Sequence, residues 1–291
     1  MGKGIILWPN LIDDRVTPPV FSGGGWLADL PLSNLRDDGV QTGYLAYAAQ
    51  SNTAAEEDTC FDIDHGQPVP CAGLAIPDGN WSPACNVTVT RANDADFTDV
   101  VATATGEVYP VLYPLGTQPS TSPYLISGKP TIRLPKMPFI ALFDPVHVAR
   151  YTRVEISDPL NPDGYIRIPR LFMAGGYEPF YNMQYGARLR PIQRTRVRES
   201  VAGARFFDER APRRVWTLEY DLLPQAELLA SMYEMQATLG VSRQAFFIFD
   251  PADTVSRHRT SFMCTLDDPG GIVFSSYERG GASLVLSEVI A

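Results

Sequence analysis

The chain has 291 residues, 45% hydrophobic and 20% charged, with a formal net charge of −9. That is enough length for two domains and enough apolar material for a buried core. Its first 170 residues carry 19 Asp+Glu against 11 Lys+Arg, which argues against a phosphate-binding surface there. No apolar run is long enough for a membrane-spanning helix. The opening Met1-Gly-Lys-Gly-Ile-Ile-Leu-Trp8-Pro9 lacks the pattern of a secretory leader, and Ile6 stands where a myristoylation signal wants Ser or Thr.

Residues 5–50 read as extended segments broken by Pro9-Asn10, Pro18-Pro19 and Gly23-Gly24-Gly25. Short β-type runs follow at Thr59–Ile63, Cys71–Ile76, Asn86–Arg91 and Glu107–Tyr113, in a background rich in Pro, Gly, Ser and Thr. This spacing with turn signals predicts an all-β sandwich. Asn80-Trp-Ser-Pro83 and Leu115–Pro123 read as exposed loops. Tyr151–Ser157 alternates, with Val154 and Ile156 inward and Arg153 and Glu155 outward. The turn cluster Asp158–Gly164 leads to Tyr165–Phe172 as its expected partner strand. Gly175-Gly176 marks the expected boundary between domains 1–175 and 176–291.

In the second part, Arg214–Leu222 alternates with Trp216, Leu218, Tyr220 and Leu222 on one face. Pro224 falls in the first turn of an expected helix ending at Leu239, where its missing N–H costs nothing. Leu228, Met232, Met235 and Leu239 make one apolar stripe, and Gly240 stops the helix. Gln244–Asp250 is uniformly apolar and predicts a strand inside a sheet. Ser261–Leu266 and Gly271–Tyr277 are expected to pair around Asp267-Asp-Pro-Gly-Gly271. The fold class expected is mainly β, with an N-terminal β-sandwich jelly roll and a C-terminal α+β domain containing one main helix.

No catalytic set emerges. The histidines are His65, His147 and His258, and no Gly-x-Ser-x-Gly elbow accompanies them. Asp62-Ile-Asp64-His65 has the look of a metal-site fragment without the second half a site needs, and turn-capping aspartates are the alternative. No metal and no cofactor are expected. Cys60, Cys71, Cys85 and Cys264 do not have zinc-ligand spacing and read as free, mostly buried thiols, with a bridge among the first three left open. Trp81, Tyr113 and Tyr124 are the candidate platforms for stacking on sugar rings, with core aromatics as the alternative.

Of 24 basic residues only Lys3, Lys129 and Lys136 are lysine. Arginine suits interfaces, because its planar fork pairs with carboxylates and tolerates desolvation; a GC-rich genome would give the same bias. Nine arginines lie between Arg188 and Arg214, offset by Glu199, Asp208 and Glu209. Nucleic-acid contact and a solvated loop are both weighed. The favoured reading is a subunit interface in which Arg188, Arg190, Arg213 and Arg214, with Trp216, meet carboxylates of another copy.

The residues Arg213-Arg-Val-Trp-Thr-Leu-Glu-Tyr220, the helix ending at Gly240, Phe246–Pro251 and Ser283–Ile290 resemble the ring-forming belt domain of distal and minor tail proteins from long-tailed bacteriophages. Leu30–Leu35, Phe61–Asp64 and Arg150–Pro159 with Asp163-Gly-Tyr165 resemble a discoidin or galactose-binding-like jelly roll. The resemblance implies a non-enzymatic virion protein at the tail tip, assembled in the host cytoplasm. Its implied partners are copies of itself in a ring, the tail tube and tip hub proteins, and host surface polysaccharide, with no nucleic acid and no membrane insertion. The alternative is a carbohydrate-binding adhesin. Ring stoichiometry, the glycan and the face toward the tube are not encoded in any motif.

Overall fold

A computed structural model describes residues 2–36, 48–111, 128–130, 134, 136–201, 203–268 and 270–289. The chain is mainly β and forms two compact units. One is Met1–Glu178 together with Ala245–Phe262; the other is Pro179–Gln244 together with Met263–Ile290. By contacts, the segment Ala245–Phe262 therefore clusters with the first unit rather than with its sequence neighbours. Among the described residues no helix is long and apolar enough to cross a membrane.

The first unit contains β1 (Ile5–Leu7), β2 (Val20–Ser22), β3 (Ala49–Gln50), β4 (Phe61–Ile76), β5 (Asn86–Ala92), β6 (Val100–Glu107), β7 (Phe139–Ser157), β8 (Arg167–Ile168) and β9 (Phe172–Ala174). Its main sheet runs β2-β4-β7-β5-β6, with β9 also paired to β4. The predicted inward residues Val154 and Ile156 are completely buried, as are Phe61, Ile63, Val87 and Val89. Alternation thus gives the sheet one apolar face, and that face builds the core. Separately, β1 pairs with the returning strand Ala245–Ile248, whose four residues are all buried.

Several expectations need correction. Thr59–Ile63 and Cys71–Ile76 lie in one long strand, β4, whose register against β7 shifts between Asp64 and Val69 and between Cys71 and Gly73. The run expected at Glu107–Tyr113 stops being strand at Glu107. Tyr165–Phe172 does not pair with Tyr151–Ser157: β8 pairs with β3, while β7 takes β4 and β5 as neighbours. The turn signal was real, but the neighbours of β7 come from elsewhere in the chain.

The irregular stretch of β4 and β7 is held by Arg91, which is fully buried on β5. Its guanidinium donates to the carbonyls of Val69, His147 and Ala149 at 2.9, 2.8 and 2.7 Å. These carbonyls border the shifted register, where a regular ladder cannot satisfy every acceptor. Burial pushes the Arg91 pKa down, and burial together with the nearby Arg91 charge lowers His65 to about 4.

The second unit opens with β10 (Arg188–Ile192), β11 (Arg196–Glu199), β12 (Arg205–Asp208) and β13 (Arg213–Pro224). A continuous helical rod follows through Gln225–Glu227, a π-type stretch Leu228–Tyr233, and Glu234–Leu239. Pro224 is its N-cap rather than a first-turn residue. The predicted stripe of Leu228, Met232, Met235 and Leu239 is buried, and Gly240 ends the rod at φ +51°, a backbone that favours glycine.

After β14, the strand Ala245–Ile248, the second unit resumes with β15 (Phe262–Asp268), β16 (Ile272–Phe274) and β17 (Arg279–Glu288). β15 and β16 do not pair with each other as expected. Both pair with β17, β15 along Val285–Glu288 and β16 along Gly280–Ala282. Trp216, Leu218 and Tyr220 of β13 are buried as the alternation predicts. Leu222 is not: a register shift between Tyr220 and Leu223 turns it outward at 55% exposure and puts Leu223 in the core.

Candidate functional site

The second unit's arginines differ in their partners: in and beside the stretch Arg196–Asp208, Arg205 meets Glu199 at 3.6 Å and Arg210 meets Asp208 at 2.8 Å in exposed pairs. Arg213 and Arg214 are engaged within the chain. Arg214 pairs with Glu288 at 2.7 Å, and this carboxylate, only 4% exposed, also accepts from the Arg214 backbone N–H at 2.9 Å. Arg213 meets Asp267 at 3.1 Å in a half-exposed pair. Trp216 is buried in its own unit. The sequence pointed to these three as contacts with another copy, but it could not show that Glu288 and Asp267 would lie across from them. The pairing comes from antiparallel registry: β13 lies beside β17, which in turn lies beside β15.

Arg188 and Arg190 are different. Both are exposed on β10, which pairs with β13 on one side and, among the described residues, ends the strand order of its sheet. Such an edge offers backbone donors and acceptors as well as side chains. From β10 and β13 the chain continues outward as the hairpin β11–β12, in register from Arg196 opposite Asp208 to Glu199 opposite Arg205. All eight strand residues of the hairpin are exposed. Between Arg188 and Arg210 there are seven arginines and three acidic residues, in a chain of net charge −9. Sequence reading noticed these arginines but not that the middle of the run stands out as a two-stranded arm.

The first unit holds a different feature. A hollow of about 540 Å³ is bordered by Pro19, Phe21, Trp26, Pro31, Leu32 and Arg36. The Arg36 guanidinium stands 5.1 Å from the centre of the Phe21 ring, and burial lowers its pKa. Among the described residues the buried Arg36 Nε and Trp26 Nε1 have no hydrogen-bond partner. Gly24, at φ +67°, packs so closely on the Trp26 indole and the Cys60 carbonyl that an added Cβ would clash with both. Apolar planes beside a guanidinium make a surface suited to a ligand with flat apolar faces. Local sequence gave no pointer, because Phe21 and Trp26 are brought to Arg36 by the packing of β2 and the Leu32–Leu35 turn.

The sugar platforms chosen from sequence fare differently. Trp81 is fully buried in the core, so it cannot stack on a ligand here, and Asn80 and Ser82 beside it are also buried. Its loop is tied inward: Ser82 and Asn161 donate to Asp158, and Asn80 donates to Asp163 and the Tyr165 carbonyl. Tyr113, Tyr124 and the Leu115–Pro123 loop lie outside the described residues.

Asp62 and Asp64 share a face of β4, and they meet cations of their own chain. Arg153 forks onto Asp62 at 2.7 and 2.9 Å, and Arg150 onto Asp64 at 2.7 and 2.8 Å. The Arg150 hydrogen bond leads in holding the Asp64 carboxyl below its usual range. Asp64 also caps the turn at the Gly66 N–H. Among the described residues no cluster of three or more His, Cys, Asp or Glu is placed to hold a metal ion. Among the described residues Cys60, Cys71, Cys85 and Cys264 form no disulfide.

No protein-family model and no curated protein matches this sequence. Among solved structures, CpGH89CBM32-6 produced by Clostridium perfringens aligns with 58% of this chain and 99% of its own length, at 12% identity and TM-score 0.37. The lectin domain of lectinolysin complexed with Lewis B antigen covers 57% of this chain and 96% of its own, at 15% and 0.36. A Streptococcus pneumoniae fucose binding module covers 57% and 94%, at 14% and 0.35. All of these scores lie below 0.5 and assign neither a family nor a ligand to this chain.

Proposed function

We propose that this chain is a non-enzymatic structural subunit that assembles with copies of itself into a ring. In this reading its place is the tail tip of a long-tailed bacteriophage, where the ring joins tail tube to tip hub. The first unit is a jelly roll facing outward, and the second unit, Pro179–Gln244 with Met263–Ile290, is the ring-forming part. The observation that carries the reading is the open edge of β10, where Arg188 and Arg190 are exposed in a protein with a strongly acidic first unit. An edge strand bearing guanidiniums is suited to pair backbone with backbone and fork with carboxylate on a second copy. Arg213, Arg214 and Trp216 then act from behind, by fixing β13 and β17 under that edge. Electron microscopy of the purified full-length protein tests this: closed rings of uniform size are expected, and a field of single particles at high concentration would contradict it.

The second reading is a carbohydrate-binding adhesin, and the observation that favours it is the hollow at Phe21, Trp26 and Arg36. Its test is a glycan array probed with the full chain and with Trp26→Ala. Binding lost in the variant supports it, and a blank array with the wild-type protein removes it.

A further inference from the structure

The hairpin β11–β12 is unusual in having no inside. Directly opposed residues of an antiparallel pair share a face. One face therefore carries Arg198 with Phe206 and Arg196 with Asp208; the other carries Val197 with Phe207 and Glu199 with Arg205. Phe206 is 61% exposed, Phe207 60% and Val197 56%, so an aromatic ring faces solvent on each side. A hairpin lying on its own protein would bury one face. An isolated two-stranded ribbon is at best marginally stable in water, because it has no sheet or helix to cover it. Its strands are short: the four residues Arg196–Glu199 span roughly 13 Å at 3.3 Å each.

We propose that this hairpin is an arm gripped on both faces by a second copy of the chain, on that copy's acidic first unit. The inference rests on the self-assembly reading and adds the element that reaches across. Charge selects the occupant. Arginines outnumber acids seven to three from Arg188 to Arg210, whereas the first 170 residues carry 19 acidic against 11 basic residues. Opposite fields bring the two together, and the two phenylalanines supply the apolar anchor that solvent-exposed arginines alone do not. Continuity supports the same choice, since the arm prolongs the β10 edge that bears Arg188 and Arg190.

The test uses the full-length protein in low salt. Phe206→Ser with Phe207→Ser is compared with wild type by sedimentation, and near-ultraviolet circular dichroism checks the fold. Self-association weakened at least about thirty-fold with an unchanged fold is expected from the loss of two aromatic anchors. Independently, a photo-reactive benzoyl-phenylalanine is placed at position 207 and cross-linked in a mixture of isotopically light and heavy protein. Mixed light–heavy products mapping to residues 1–178 are expected. A wild-type protein that stays monomeric overturns the self-assembly reading and this inference with it. An oligomer that survives the double substitution overturns the arm alone. Cross-links confined to one polypeptide, or to co-purified nucleic acid, overturn it as well.

Discussion

His65 offers a sharp test of how the first unit is held together. It is 4% exposed, lies 3.4 Å from the Thr152 hydroxyl, and is kept neutral by burial and by Arg91, with a pKa of about 4 against an ordinary 6.5. A depressed histidine contributes stability that is fully present above about pH 6.5 and is lost as pH falls toward about 4, because the unfolded chain takes the proton first. Linkage gives a loss of about 2.5 kcal/mol between about pH 7.5 and about pH 4.5. His65→Gln keeps a polar side chain and removes the titration. Urea unfolding of wild type and variant at both pH values isolates the effect, since other groups titrate in both proteins and cancel in the difference. The wild type is expected to lose about 2.5 kcal/mol more than the variant on acidification. Parallel losses in the two proteins would show that His65 is not the buried neutral group described, and would undermine the packing assigned to Arg91.

The two arginines of β13 should separate cleanly. Arg214→Ala takes the guanidinium from a nearly buried Glu288 and is expected to cost about 3 kcal/mol in chemical denaturation. Arg213→Ala breaks a half-exposed pair and should cost under about 1 kcal/mol; equal costs would contradict the division between them. Arg188→Glu with Arg190→Glu should leave the unfolding midpoint close to wild type, both residues being exposed, while reducing self-association in light scattering. Unchanged association would remove the β10 edge from the interface.

The helix stripe and the inward faces of β7 and β13 were legible because periodicity is written locally. Leu228, Met232, Met235 and Leu239 needed only their spacing, and Gly240 its backbone freedom. What failed was mostly nonlocal. Leu222 turned outward at a bulge that strict alternation cannot announce, and β15 and β16 both joined β17 because that long strand was a partner available to each. Trp81 looked exposed from its Asn, Ser and Pro neighbours. It is buried because Asn80, Ser82, Asp158 and Asn161 satisfy one another and let the loop fold inward. The arginine run was visible as composition. Its division into paired residues, an open edge and a projecting hairpin depended on which strands lie beside which.

Assembly driven by arginine against carboxylate on exposed surfaces should be salt-dependent, since charges at solvent-exposed edges are screened beyond a Debye length of about 8 Å at physiological ionic strength. Sedimentation velocity of the full-length protein across a salt series therefore tests the central claim most directly. The expected result is one discrete oligomer at low salt that gives way to smaller species as salt rises. A single monomeric boundary at every salt and every concentration would contradict it.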